Sequence, residues 1–183
     1  MNEIFVLFKA KLHDGNKNLV KLIISLITKF IKSLGVEFKI YYKTIAERLI
    51  SNWSDKAQPV RDEVTLCLDT WANCLGPESV LNNIIDSIKN DNFEARSESL
   101  KFMQKYLEQS MTSGKFDINQ LITPLVHCLL DKNSVIRQNA EELIVFSIKF
   151  LTIQPYLIAI KEFKQAKYNS LYLILEKHMN VAI

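Results

Sequence analysis

Residues 54–76 read SDKAQPVRDEVTLCLDTWANCLG, one polar turn followed by one complete helix. Pro59 stands in the first helical turn, where proline is tolerated, and Gly76 stands where helices commonly end. The helix is therefore expected to run from about Val60 to Leu75, with its turn centred on Lys56.

The same turn-and-helix layout recurs along the chain. The copies are 131–137 (DKNSVIR), the looser 90–96 (NDNFEAR) and the weaker 13–21 (HDGNKNLVK). The basic residues that follow the four turns are Lys21, Arg61, Arg96 and Arg137. The intervals between them bracket the period of about 40 residues that is typical of HEAT repeats.

The composition favours an all-α protein. The 183 residues are 48% hydrophobic and include only 4 Gly and 4 Pro, so long tracts contain no helix breaker. Apolar residues at three- and four-residue steps predict ten antiparallel helices and no strand. We therefore expect one domain over 1–183, an α-solenoid of about five HEAT repeats. Its predicted pairs are 3–34, 36–75, 78–110, 116–151 and 155–180.

Several details of this solenoid can be predicted. One uninterrupted helix is expected over 36–53, and the last helix over 168–179. Two of the cysteines, Cys67 and Cys74, lie seven residues apart and are expected to be small core residues on one helix face. The aromatic residues expected in the core are Phe5, Phe30, Trp71, Phe102, Phe146 and Phe150.

The sequence contains no recognisable pattern for a catalytic, metal or nucleic-acid site. Three cysteines without a C-x-x-C pair support neither a disulfide framework nor a zinc site, and a net charge of +3 is too small for a nucleic-acid stripe. The three histidines are scattered, and no phosphate loop or nucleophile elbow is present. We expect a cytoplasmic, non-catalytic protein with no metal, cofactor, nucleic-acid partner or membrane segment.

Two groups of turn residues are candidates for function. Arg61, Arg96 and Arg137 are expected to form a structural ladder by reaching turn aspartates or unpaired helix-end carbonyls. The turns themselves are expected to form an Asn- and Lys-rich strip at one edge, suited to an acidic protein surface. Ordinary solvated turns are the alternative. The strip residues are Asn16, Lys17, Lys56, Ala57, Asn92, Lys132 and Asn133.

Four stretches together resemble consecutive HEAT repeats of a TOG domain. They are LHDGNKNLV (12–20), residues 54–76, NDNFEARSESLKFMQKYL (90–107) and LLDKNSVIRQNAEELI (129–144). TOG domains are the tubulin-binding arrays of the XMAP215/chTOG/Stu2 microtubule polymerase family. The helix that contains Asp69, Thr70, Trp71 and Ala72 is the most characteristic piece, and the pattern is most similar to an internal, third-type array.

The resemblance extends from about Phe8 to Met179. It implies a partner and a location, and it also shows one difference from the family's pattern. The partner would be αβ-tubulin or the microtubule lattice, contacted by the seven strip residues, and the location the microtubules, spindle or centrosome. A full array has six repeats, and this chain is expected to begin within the second. The tryptophan of the first repeat's loop therefore has no counterpart, since Trp53 and Trp71 are expected at a helix end and within a helix.

Two other interpretations remain open at this point. In the first, the array is a structural scaffold that docks on a neighbouring domain or a centrosomal adaptor, with Phe5, Val6 and Phe8 as the contact. In the second, it carries cargo as importins do. The second is weaker, because such proteins use regularly spaced Trp and Asn, and this chain has only two Trp.

Overall fold

The computed structural model describes residues 1–178, which form ten α-helices and short 3-10 segments without a strand among them. The predicted all-α solenoid is therefore confirmed. Met179, at the end of the predicted last helix, lies outside the described residues. The helices are α1 (Asn2–Lys11), α2 (Lys17–Leu34), α3 (Tyr42–Ser51), α4 (Gln58–Leu75), α5 (Glu78–Ile88), α6 (Phe93–Ser113), α7 (Ile122–Cys128), α8 (Ser134–Ile148), α9 (Gln154–Ala159) and α10 (Gln165–Glu176).

Successive helices pair and the pairs stack into two layers. The first helices, α1, α3, α5, α7 and α9, pack one against the next, and among the second helices α2 packs along α4 and α6 along α8. One apolar core runs through the whole stack, from Phe5 in α1 to Leu175 in α10. The turns inside the pairs consequently line one edge, and the connections between pairs line the other.

A tryptophan wedge joins the second and third pairs. Between α4 and α6 the chain inserts a 3-10 segment, Asn52–Ser54, that packs on both helices. Its Trp53 is completely buried, donates a hydrogen bond from Nε1 to Thr65 Oγ1 (3.0 Å), and lies 5.8 Å from the ring centre of Phe102. The step from α4 to α6 therefore depends on an inserted ring, whereas α2 packs directly on α4 and α6 directly on α8.

The prediction of one helix over 36–53 was wrong. Gly35 ends α2 with a φ of +52°, and a 3-10 segment (Gly35–Ile40) follows before α3 starts. Phe38 is buried there, with its ring centre 5.4 Å from that of Trp71, whereas Val36 and Ile40 on either side are exposed. Anchoring this single ring in the core fixes a tight turn where the sequence pattern alone favours a continuous helix.

The core prediction was correct for most of the aromatic residues. Phe5, Phe102 and Trp71 are buried, and Phe30 and Phe146 are partly buried against the same core. The prediction was wrong for Phe150, which follows the end of α8 and is 47% exposed.

The prediction that both cysteines of α4 are core residues is correct for only one of them. Cys67 is buried, but Cys74 is exposed. Residues seven apart on a straight α-helix drift by about 20°, so they do not share a face fully. Cys74 lies in the last turn of α4, so the seven-residue spacing alone did not decide its burial.

A second tie between α4 and α6 involves one carboxylate. Asp69 accepts hydrogen bonds from the Tyr106 hydroxyl (2.9 Å) and from the Lys105 ammonium (2.8 Å). The hydrogen bond to Asp69 is the main cause that raises the pKa of Lys105, and burial is the main cause that raises the pKa of Tyr106. The carboxylate therefore satisfies a buried hydroxyl across the repeat boundary.

We expect Asp69→Ala to destabilise the protein by about 1–3 kcal/mol, because the buried Tyr106 hydroxyl loses its partner. Urea unfolding gives the free energy, with Asp62→Ala on the exposed face of α4 as the control. Tyr106→Phe added to Asp69→Ala should cost little more, since the unsatisfied hydroxyl is then gone. Equal stabilities of the Asp69 and Asp62 variants would contradict this assignment.

Candidate functional site

The first four intra-pair turns share one construction. In each, a side-chain oxygen accepts the backbone N–H two residues further on, which closes an Asx turn. The pairs are Asp14 with Asn16 (2.9 Å), Asp55 with Ala57 (2.9 Å), Asn90 with Asn92 (2.8 Å) and Asp131 with Asn133 (2.8 Å). Each turn is thus held by its own first residue before any helix packing is considered.

The third residue of the turn caps the following helix. Asn16, Asn92 and Asn133 each accept a backbone N–H of the next helix through their side-chain oxygen. Ala57 has no such cap, and Pro59 in the first turn of α4 removes one donor that would need it. The three asparagines therefore have only their amide N–H groups left for a partner.

An arginine clamps each of the last three of these turns. Six residues after the turn begins, a guanidinium donates to the backbone carbonyl of the first turn residue. The distances are 2.6 Å from Arg61 to Asp55, 2.7 Å from Arg96 to Asn90 and 2.8 Å from Arg137 to Asp131. The three predicted ladder residues thus first hold their own turns.

The first turn lacks this clamp. Six residues after Asp14 stands Val20, which is completely buried, and not Lys21. Lys21 was aligned with the arginines because it is the basic residue after the turn. Aligned by the Asx bond, the position equivalent to the arginines is one residue earlier. The interval from Asp14 to Asp55 is accordingly one residue longer than the interval from Lys21 to Arg61.

Two ion pairs link successive turns. Lys17 lies 2.6 Å from Asp55, and Arg96 lies 2.9 Å from Asp131. Burial alone would raise the pKa of Asp55, but the hydrogen bonds from the Lys17 ammonium and the Ala57 N–H outweigh it, and the pKa is lowered. Lys17, predicted to face a partner, is therefore engaged with the next turn.

The structure brings all seven strip residues to one edge, where they differ in exposure and in whether their charges are paired. Lys56 and Lys132 occupy the exposed tips of the second and fourth turns, and within residues 1–178 neither ammonium is in an ion pair with a carboxylate. Ala57, Asn92 and Asn133 are half-buried. The two tip lysines are consequently the strip residues whose charge is available to a partner.

Sequence reasoning missed the residues that build the edge. Asp14 and Asn90 start their turns, and Asp91 places a carboxylate at the tip of the third turn, where the second and fourth carry lysine. The signal was present, since Asp or Asn occurs two residues before each cap. It identifies the tip as the residue between them.

A histidine closes the first turn against α3. Arg48 Nη1 donates to His13 Nδ1 (2.9 Å), so the ring is neutral and its Nε2–H donates to Ser51 Oγ (2.8 Å). Burial, together with the charges of Arg48 and Lys17, lowers the pKa of His13, and Glu47 opposes them. The cluster is a structural tie, because the Ser51 hydroxyl donates to the Arg48 carbonyl.

Two of the three cysteines, Cys67 and Cys128, are buried in the core. Burial raises the pKa of both Cys67 and Cys128 to about 12, so both thiols stay protonated. Within residues 1–178, no three His, Cys, Asp or Glu side chains cluster as metal ligands. The helices of this part of the chain are also too short or too polar to span a bilayer.

These observations define a class: an α-solenoid of HEAT-type pairs with one edge of capped polar turns. Solved TOG domains have this fold. The TOG domain of Zyg9 from C. elegans has a TM-score of 0.75 at 16% identity, covering 100% of this chain and 68% of that chain. A structure from work on TOG–tubulin binding specificity in spindle formation has a TM-score of 0.73 at 15% identity, covering 97% and 67%. The predicted resemblance to TOG domains is confirmed for the fold.

The chain also matches part of a much longer protein in sequence. Protein MOR1 of Oryza sativa subsp. japonica is 24% identical over 177 residues. The match covers 96% of this chain but only 9% of the length of the rice protein. No protein-family profile matches the chain.

We expect Asp131→Ala to cost about 3 kcal/mol, because it removes the Asx bond and leaves the mostly buried Arg96 guanidinium unpaired. Asp131→Asn should cost less, since asparagine closes the third turn in the same way. Asp91→Ala, at an exposed tip, is the control and should change stability by less than about 0.5 kcal/mol. Denaturant unfolding measures all three, and an equal loss in the Asp131→Ala and Asp91→Ala proteins would contradict the role of the pair.

The lowered pKa of His13 predicts a pH dependence. The unfolded chain takes up a proton on this ring at a higher pH than the folded chain, so stability is lost as the pH falls from 6.5 through the folded pKa. His13→Gln, which keeps an acceptor and a donor but cannot titrate, should lose less stability between about pH 7 and pH 5.5. Urea unfolding at the two pH values, with His127→Gln as control, tests this. A wild-type-like loss in His13→Gln would rule it out.

Proposed function

We propose that this chain is a non-catalytic TOG-type module of the XMAP215 family that binds αβ-tubulin or the microtubule lattice through its turn edge. The observation that carries the proposal is that Lys56 and Lys132, at the exposed tips of two rigid turns, have no ion-pair partner among the described residues. The TOG fold supports it, because solved TOG structures come from work on tubulin binding and on microtubule polymerases.

The construction of the edge suits recognition of a flat acidic surface. The Asx bonds, caps and arginine clamps order the turns before binding, so little conformational entropy remains to be lost. The tip lysines steer an acidic partner, and the amide N–H groups of Asn16, Asn92 and Asn133 add short-range donors. Ala57 has no side chain beyond Cβ and lets a partner surface approach the second turn closely.

Lys17 takes a different part in this proposal. Its ammonium holds Asp55 and so keeps the first and second turns in register. Lys17 therefore acts mainly by positioning Lys56. A partner contacts only the part of the Lys17 side chain that stays exposed. Arg61, Arg96 and Arg137 act in the same indirect way on the turns they clamp.

Binding alone is sufficient for the family's mode of action. Several arrays on one polypeptide raise the local concentration of tubulin near a growing microtubule end, which replaces chemical catalysis. The proposed location is accordingly the cytoplasmic microtubule cytoskeleton, including the spindle or centrosome. That the array is of the third type remains part of this proposal.

A second candidate is a scaffold that docks on an adjacent domain or a centrosomal adaptor without touching tubulin. It is favoured by exposed apolar side chains on α1, namely Ile4, Val6 and Leu7, which are 40%, 60% and 56% exposed. The expected contact residues Phe5 and Phe8 are instead buried in the core, so Val6 is the one of the three predicted residues available there.

We expect Lys56→Glu combined with Lys132→Glu to weaken tubulin binding by about tenfold or more, because both tips then repel an acidic surface. Gel filtration with free tubulin, or pelleting with microtubules, measures the effect, and circular dichroism checks that helicity is kept. Lys39→Glu combined with Lys43→Glu is the matched control, with the same charge change at the opposite edge. Unchanged binding in the tip variant would remove these turns from the site, and absence of binding by the wild-type chain would favour the scaffold.

A further inference from the structure

A cleft of about 810 Å³ lies beside the turn edge, where the third and fourth pairs meet the fifth. Its walls come from the end of α5, the third and fourth turns, one face of α7 and the start of α10. The lining residues that matter here are Lys89, Lys132, Lys167, Pro124, His127 and Phe163. The cleft is thus built from elements that are far apart in the sequence and exists only in the folded stack.

Three lysines surround the opening. Lys132 and Lys167 are exposed, and within residues 1–178 neither forms an ion pair. Lys89 has only a loose, exposed contact with Asp86, at 3.7 Å. The other charge pair in the wall, Arg96 with Asp131, is internally neutralised at 2.9 Å. The cleft therefore offers three ammonium groups that an incoming anion can pair with.

The net positive charge of the chain is concentrated in residues 149–178. Residues 149–178 contain five lysines and two glutamates, a net charge of three, and the whole chain has a net charge of +3. The preceding residues are therefore balanced. This asymmetry directs the electrostatic attraction for an acidic ligand toward the fifth pair, which supplies one side of the cleft.

Part of the wall between the lysines is apolar and aromatic. Pro124 is buried, and Phe163 is half-buried, with its ring centre 5.0 Å from that of His127. Such walls accept the methylene groups of extended side chains while the charged ends reach the lysines. A small inorganic anion would leave most of this volume unused.

We propose that this cleft binds an extended acidic peptide segment of a partner protein. The proposal goes beyond the tubulin-binding edge, because Lys89 and Lys167 lie outside the residues assigned to that edge. A peptide fits better than a nucleic acid, since three separated ammonium groups and the exposed Asp91 carboxylate in the wall do not form the dense cationic row that a phosphate backbone requires. The Asp91 carboxylate is expected to weaken the binding of an acidic ligand.

Fluorescence anisotropy of a labelled octaglutamate peptide with the full chain tests this. We expect Lys89→Glu combined with Lys167→Glu to weaken binding about tenfold or more, and Asp91→Asn to strengthen it. The matched control is Lys39→Glu combined with Lys43→Glu, which has the same net charge and leaves the cleft intact. All of these residues are exposed, so the variants are expected to fold, and circular dichroism verifies this.

The result also separates this cleft from the tubulin-binding edge. Both Lys56 and Lys132 are unchanged in the Lys89 and Lys167 variant, so tubulin binding measured in parallel reports on the edge and peptide binding reports on the cleft. Equal peptide affinities for the cleft variant and the control would overturn the proposal. Tighter, competing binding of a single-stranded octathymidylate at the same lysines would overturn the choice of a peptide.

Discussion

The structure depends on one hydrogen bond repeated at the start of each of the first four intra-pair turns, from a backbone N–H to the side-chain oxygen two residues before it. This bond fixes the direction in which the chain enters the second helix of a pair. In the second, third and fourth turns it also presents the backbone carbonyl of the residue that begins the turn to the arginine six residues later. Helix pairs that enter at the same angle can stack, so a local bond sets the regularity of the solenoid.

The same bond decides which side chains are available at the edge. Oxygen atoms of the turn residues are used inside the molecule, by backbone N–H groups and by arginine or lysine from neighbouring helices. What remains outward is cationic or an N–H donor, apart from the Asp91 carboxylate at the third tip. The outward chemistry of the edge is therefore mainly cationic and donor-rich, which is what the proposed recognition of an acidic protein surface requires.

Particular residues show how far sequence reasoning reached. The ten helices and their pairing followed from periodicity, and the turns followed from the Asp, Asn, Gly and Pro positions, because caps and turns are decided by neighbours within a few residues. The positions of Lys56 and Lys132 in their turns could be predicted because Asp-Lys opens both turns and an arginine follows each lysine at the same spacing. Lys17 was predicted from the sequence to be available to a partner in the same way. Its ammonium instead forms an ion pair with Asp55, in the turn of the next repeat.

The sequence by itself determined the class of fold, the positions of the turns and the residues at their tips, because these depend on short-range hydrogen bonds and on apolar spacing. Only the tertiary structure decided which cations are paired, that Trp53 is wedged between α4 and α6, and that Lys89, Lys132 and Lys167 surround one cleft. These outcomes join residues that lie on different helices and in different repeats. No local pattern encodes such distances, and the stacking of the helix pairs sets them.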